Sequence, residues 1–163
     1  VSPRAVRRAR RSEDLSPVDA LAQLSFLIQS LIERRATADG LSVVQIRLLG
    51  VLRDREPTMQ ELSKLLGLDK SSTSGLVDRA QRRGLVQRIP STVDRRVVTV
   101  RLTDASRALV ASVRSGFEAD ITDLLGSLDQ AERDRLAGAA ARVVVAYAAA
   151  RGVDLAAGMS APD

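Results

Sequence analysis

Cysteine, histidine and tryptophan are absent from the 163 residues, and aromatic residues make up only 2% of them. Without cysteine there are no disulfides, thiolate metal sites or cysteine redox sensors. Without histidine there is no imidazole acid–base chemistry, and only carboxylates remain as metal ligands, a weak set for zinc. No metal and no cofactor is therefore expected. No glycine-rich phosphate loop and no nucleophile paired with a base is visible, and acidic residues such as Asp120 and Asp123 fit the outer face of a helix. Catalysis is not expected. Long apolar runs are also missing. The most apolar late stretch, LAGAAARVVVAYAAA at 136–150, carries Arg142 in its middle and falls short of the ~20 residues a membrane helix needs. The opening VSPRAVRRARR has no apolar core after it, so no signal peptide is expected and the cytoplasm is the expected location.

What is present is a soluble-type balance, 45% hydrophobic and 28% charged. With so few aromatics, the core must be built from Leu, Val, Ile and Ala. The net charge of +5 is unevenly spread. Residues 1–11 carry +5 with no acid, 12–67 carry −2, 68–101 carry +5 and 102–163 carry −3. A basic central block between near-neutral flanks is the electrostatic footprint of a polyanion binder. The arm at 4–11 is either an extra phosphate-binding arm or a disordered solubilising one.

The periodicity predicts six helices. The first starts at Ser16 and Pro17, repeats Val18, Leu21, Leu24, Ile28 and Leu31, and stops near Ala38 before Gly40. Phe26, Leu27 and Ile32 widen its stripe, so it should pack on more than one neighbour. Ser42 with Gln45, Thr58 with Glu61, and Asp129 with Glu132 are reciprocal cap pairs that open three more helices. The core candidates of the second are Val44, Leu48, Leu49, Val51 and Leu52, and of the third Leu62, Leu65 and Leu66. The fourth opens at Asp69, turns Leu76, Val77 and Ala80 inward and closes at Gly84. The fifth runs from Thr103 to about Leu125. The last reaches about Arg151 with a stripe of Leu136, Ala140, Val143, Val144 and Tyr147.

Two short capped helices joined by a turn containing glycine form a helix-turn-helix pattern. The outer face of its second helix reads Lys70, Ser71, Ser72, Ser74, Gly75, Asp78, Arg79 and Arg82. Small hydroxyl residues allow close backbone approach and bond phosphates or base edges, and lysine and arginine supply charge. The N-terminus of that helix is also expected to favour anions. A hairpin of residues 85–102 follows, its second run alternating Val98, Val100 and Leu102 with Thr99 and Arg101. Its tip at 91–95, with Arg96 beside it, holds Asp94 and Arg95. A hairpin placed there is a wing, and arginine at its tip suits the negative potential of a narrow minor groove. Asp94 either orients a guanidinium or makes an Asx-turn beside solvated arginines.

The stretch TMQELSKLLGLDKSSTSGLVDRAQRRGLVQRIPSTVDRRVVTVRLTDASRAL, 58–109, resembles the winged helix-turn-helix core of the MarR family of bacterial regulators. The Asp94-x-Arg96 pattern followed by an alternating strand and Leu102-Thr103 is its most specific part. With the flanking helices the resemblance covers roughly residues 14–150. It implies a mainly α fold with a small β-hairpin wing, a winged helix-turn-helix lobe at 41–102, and a helical dimerisation region at 14–40 and 103–151. Residues 1–13 are then a basic, disordered arm and 152–163 a flexible tail. It further implies an obligate homodimer that binds a pseudo-palindromic DNA operator as a repressor and is released by a small-molecule effector. Carried over by position, Arg96 enters the minor groove with Asp94 as its orienting partner. Lys70, Ser72 and Ser74 meet the major groove, and Arg88 lies near a phosphate. Ser71, Arg79 and Arg95 complete the candidate DNA-binding set. The lack of cysteine excludes the family's peroxide-sensing branch, and the scarcity of aromatics weakens the case for an aromatic-ligand pocket. A winged-helix protein-interaction module and a non-specific architectural DNA binder are the alternatives. The retained cations on the outer face disfavour the first of these.

Overall fold

The computed structural model describes residues 15–90 and 97–153. The basic arm and the wing-tip residues Asp94, Arg95 and Arg96 lie outside them. Among the described residues the chain forms α1 (Pro17–Ala38), α2 (Val43–Leu52), α3 (Met59–Leu66), α4 (Lys70–Arg82), β1 (Val86–Pro90), β2 (Val98–Leu102), α5 (Asp104–Leu124) and α6 (Gln130–Ala149).

Helix starts are fixed by local chemistry. Ser16 accepts the Asp19 N–H, and the reciprocal cap pairs Ser42/Gln45, Thr58/Glu61 and Asp129/Glu132 all form. Each satisfies backbone donors that the first turn of a helix leaves without partners. The bond from the Thr58 backbone N–H, with a second from its hydroxyl, holds the Glu61 carboxyl below its ordinary range. Gly67, at φ 66°, ends α3. Its N–H donates to the Lys64 carbonyl and that of Leu68 to the Ser63 carbonyl, a left-handed stop that a residue with a Cβ rarely adopts.

The core lies where α2, α3, α4 and the hairpin meet. Leu48, Leu62, Leu76, Val77, Val86 and Val100 are fully buried there, and each contributes roughly 1.5–3 kcal/mol by leaving water. The β-strands pair antiparallel from Val86 opposite Leu102 to Pro90 opposite Val98. Val100 and Leu102 face inward as the alternation requires. The α2–α3 connection joins the outer edge of β2: Val100 N–H donates to the Pro57 carbonyl at 2.9 Å, and Thr58 bridges Thr99. This added strand-like contact was not expected from the sequence, because a single bridging residue leaves no period to read.

α1 lies along α5. The Arg35 guanidinium donates to the Asp120 carboxylate at 2.7 Å and to the Gly116 carbonyl at 2.9 Å. Among the described residues, large parts of α1 and α6 stay uncovered. Val18, Leu21, Phe26 and Leu27 on α1, and Val143, Val144, Val145 and Tyr147 on α6, are exposed, Val18 by 77% and Val143 by 69%. Of the expected core positions, Val44 and Val51 are only half-buried, at the rim of the cluster, and Leu65 is half-buried outside it. The last helix ends at Ala149 rather than near Arg151. Gly152, at φ 65°, and Val153 fold back onto its end, with the Val153 N–H on the Ala148 carbonyl at 3.0 Å. The tail expected to be flexible from 152 is therefore tied down at its first two residues.

Candidate nucleic-acid interface

α3 and α4 meet at the three-residue turn 67–69, and Thr73 locks them together. The Thr73 hydroxyl is fully buried, donates to the Asp69 carbonyl at 2.9 Å and lies 3.0 Å from the Ser63 hydroxyl of α3. With Leu76, Val77 and Ala80 buried on the same side, the opposite face of α4 is forced outward. Lys70, Ser71, Ser72, Asp78, Arg79 and Arg82 are exposed on it, and Ser74 and Gly75 are half-buried.

The first turn of α4 differs from the expected anion site. Asp69 is its N-cap and occupies the free N–H of Ser72 at 2.8 Å. The hydroxyls of Ser71 and Ser72 both donate to the Asp69 carboxylate, each at 2.6 Å. These bonds, that of Ser71 first, hold the Asp69 carboxyl far below the ordinary carboxylate range. The positive end of the helix dipole is thus answered by the chain's own carboxylate. The two serine oxygens, with their protons engaged, turn lone pairs outward.

Further along the helix, the Arg79 guanidinium lies back over Gly75. A Cβ at position 75 would stand 3.3 Å from its Nη1. Arg88, on β1, is drawn to α4 rather than extended into solvent. Its Nη1 donates to the Asp78 carboxylate at 2.7 Å and to the Gln81 amide oxygen at 2.8 Å. That pairing, ten residues apart in sequence, was missed: Arg88 and Asp78 were both visible as charges, but nothing in their spacing joins them.

The hairpin base is fastened on three sides. Gln87 faces Arg101 across the strands and, with its amide oxygen turned inward, accepts from the guanidinium at 2.9 and 3.2 Å. Thr103 caps α5, and its hydroxyl donates to the Gly84 carbonyl at 2.6 Å. The buried Ser106 hydroxyl donates to the Leu85 carbonyl at 2.7 Å. The Leu-Thr pair that closes the wing is thereby a joint between α4, the hairpin and α5. At the far end of α4, Arg83 donates to the buried amide oxygen of Gln45 in the α2 cap at 3.1 Å. Among the described residues no group of three or more acidic side chains is placed to hold a metal ion. No helix among them is long and apolar enough to cross a membrane.

The geometry agrees with the comparisons to known proteins. The MarR family profile matches residues 39–97. The HTH-type transcriptional repressor NicR of Pseudomonas putida is 33% identical over 129 residues, 74% of this chain and 81% of NicR. The apo crystal structure of MarR from E. coli superposes with a TM-score of 0.68 at 21% identity, over 79% of this chain and 96% of MarR. NadR in complex with 4-hydroxyphenylacetate superposes with a TM-score of 0.67 at 18% identity, over 83% of this chain and 97% of NadR. These two solved structures share the winged-helix fold described above. On its identity to NicR, its profile match and this fold, the chain belongs to the MarR family of DNA-binding transcriptional regulators.

Proposed function

We propose that this regulator is a homodimeric repressor that reads a pseudo-palindromic operator and releases it when a small molecule binds. The observation that carries the DNA reading is the polar face of α4, which presents Lys70, Ser71, Ser72, Ser74 and Arg79 next to the β1–β2 hairpin, and the sequence between those strands contains Asp94, Arg95 and Arg96. In this reading the first set enters the major groove and Arg96 the adjacent minor groove, with Asp94 orienting it. Arg88 acts from behind, fixing the wing strand to α4 through Asp78.

Dimerisation is supported by the uncovered apolar faces of α1 and α6. Several large apolar side chains exposed on one helix are the kind of surface that an interaction site uses. A second copy is the occupant that a palindromic site requires. Residues 14–40 and 103–151 then form the dimerisation region and 41–102 the DNA-binding lobe, in the cytoplasm. NicR is named a repressor, and NadR holds 4-hydroxyphenylacetate. Both favour a repressor responsive to a small molecule.

A salt titration of binding to labelled duplex DNA tests this proposal. Affinity should fall steeply, with a log–log slope comparable to the ~6–10 phosphates a dimer neutralises. No binding even at low salt would instead favour a winged-helix module that recognises protein.

A further inference from the structure

Ser71 and Ser72 are exposed on α4, while Thr73, Leu76, Val77 and Ala80 take its buried side. A serine hydroxyl ordinarily serves as donor or acceptor, because its proton rotates to suit the partner. Neither of these two has that freedom. Asp69 Oδ1 takes the Ser71 hydroxyl proton and the Ser72 backbone N–H, and Oδ2 takes the Ser72 hydroxyl proton. An ionised carboxylate has no proton to give, so chemistry alone fixes the direction of both hydroxyl bonds. At 2.6 Å each they have the length of charge-assisted bonds, the stronger class. The same bonds hold the Asp69 carboxyl far below its ordinary range, so it stays ionised through neutral and mildly acid pH.

Both serines therefore meet a partner as acceptors, with a negative charge behind them. Phosphate oxygens carry no proton for such an acceptor, and the Asp69 charge repels them. In the major groove the bases divide into two classes. Adenine presents a proton through its N6 amino group and cytosine through N4, whereas guanine O6 and N7 and thymine O4 present lone pairs alone. An acceptor set against an acceptor leaves both without a bond, and an unpaired desolvated group costs more than a good bond gains.

We propose that Asp69 is a positioning residue for base recognition: by holding both hydroxyl protons it makes Ser71 and Ser72 select the amino groups of adenine or cytosine against guanine and thymine. The proposal rests on the major-groove placement of α4 given above. The two carboxylate oxygens have separable parts in it. In Asp69→Asn the cap needs the amide oxygen on the Ser72 N–H, so that oxygen takes the place of Oδ1 and keeps the Ser71 proton. The amide NH2 then stands where Oδ2 stood and donates to the Ser72 oxygen. The Ser72 proton is released and turns outward. One substitution thus inverts Ser72 and leaves Ser71 as it was.

The test starts from duplexes that the full chain selects from a random pool. Ser71→Ala and Ser72→Ala, run in parallel, each mark the base position at which discrimination is lost. Those positions should be adenine or cytosine in the parent selection. A labelled duplex of the selected sequence then carries purine for adenine, or 2-pyrimidinone for cytosine, at one marked position, which deletes the amino group. The parent should bind it about fivefold more weakly. The matching Ser→Ala variant subtracts any effect on the duplex itself and should bind both duplexes about equally. Asp69→Asn should turn the Ser72 position to guanine or thymine and leave the Ser71 position unchanged, a result that a merely structural cap does not produce. Thermal melts report that each variant is folded, and the amino-group deletions need no variant at position 69. Guanine or thymine at the marked positions in the parent, no position marked by either serine, or an unaltered Ser72 preference in Asp69→Asn would each overturn the proposal while leaving DNA binding intact. Failure of the parent to retain any duplex would overturn the DNA reading, and the role of Asp69 with it.

Discussion

Arg88 on β1 and Asp78 on α4 stand 2.7 Å apart, and this pair joins the hairpin to the second helix of the helix-turn-helix. Both side chains are partly exposed, so the pair contributes only about 0.5–1 kcal/mol to folding. Its weight lies in geometry. Arg88→Ala should loosen the wing and weaken operator binding. Asp78→Ala should also weaken it, although it removes a negative charge from the exposed face of α4. Fluorescence anisotropy on a fixed duplex decides this. Tighter binding by Asp78→Ala would return Arg88 to the role of a phosphate contact held back by its partner.

At the wing tip, Arg96→Ala should cost about 1–3 kcal/mol of specific binding if the arginine lies in the minor groove. Asp94→Ala should weaken binding too, because an unoriented guanidinium loses more entropy on docking. Equal affinity of Arg96→Ala and the parent protein at physiological salt would remove the wing from recognition.

Gly116 supports the Arg35–Asp120 pair by leaving room for it. A Cβ at 116 would stand 2.5 Å from the Arg35 guanidinium carbon. Gly116→Ala gains about 1 kcal/mol in helix propensity but displaces a guanidinium that makes two hydrogen bonds, worth about 1.5–3 kcal/mol for a bond to a charged group. The net expectation is a loss of about 1 kcal/mol in urea unfolding. In an Arg35→Ala background the same change should become stabilising. Stabilisation in the parent protein would show that Arg35 moves aside freely.

The cap of α4 sets an acid limb. The hydroxyls of Ser71 and Ser72 hold the Asp69 carboxyl below its ordinary range in the folded chain. A group whose folded value is depressed adds stability that is complete above its unfolded value, near pH 4, and is lost as pH falls toward the folded one. Thermal melts between pH 5 and 2 should therefore lose less on acidification in Asp69→Asn, which can still cap but does not titrate. Identical acid limbs would mean that the carboxylate adds nothing to the cap.

What the sequence made legible was local. Ser42 with Gln45, Thr58 with Glu61 and Gly67 lie within one helical turn of what they cap, so spacing alone reveals them. The alternation of Val98, Val100 and Leu102 likewise announces a half-buried strand. Contacts made through space left no such trace. Arg35 and Asp120 lie 85 residues apart, and Arg83 reaches Gln45 across 38. The proton direction of Ser71 and Ser72 was hidden for another reason. Asp69 was visible as a cap, but a cap that also takes two hydroxyl protons turns neighbouring donors into acceptors. The width of the α1 stripe was legible as an excess of apolar surface. None of the described residues covers it, and the proposed second copy would.

In the proposed function, two copies of α4 and its wing read DNA together. Selection of bound duplexes from a random pool, followed by sequencing, tests it most directly. An inverted repeat whose half-sites lie about one helical turn apart should be enriched. Salt-sensitive retention with no enriched sequence, or enrichment of a single half-site alone, would contradict it.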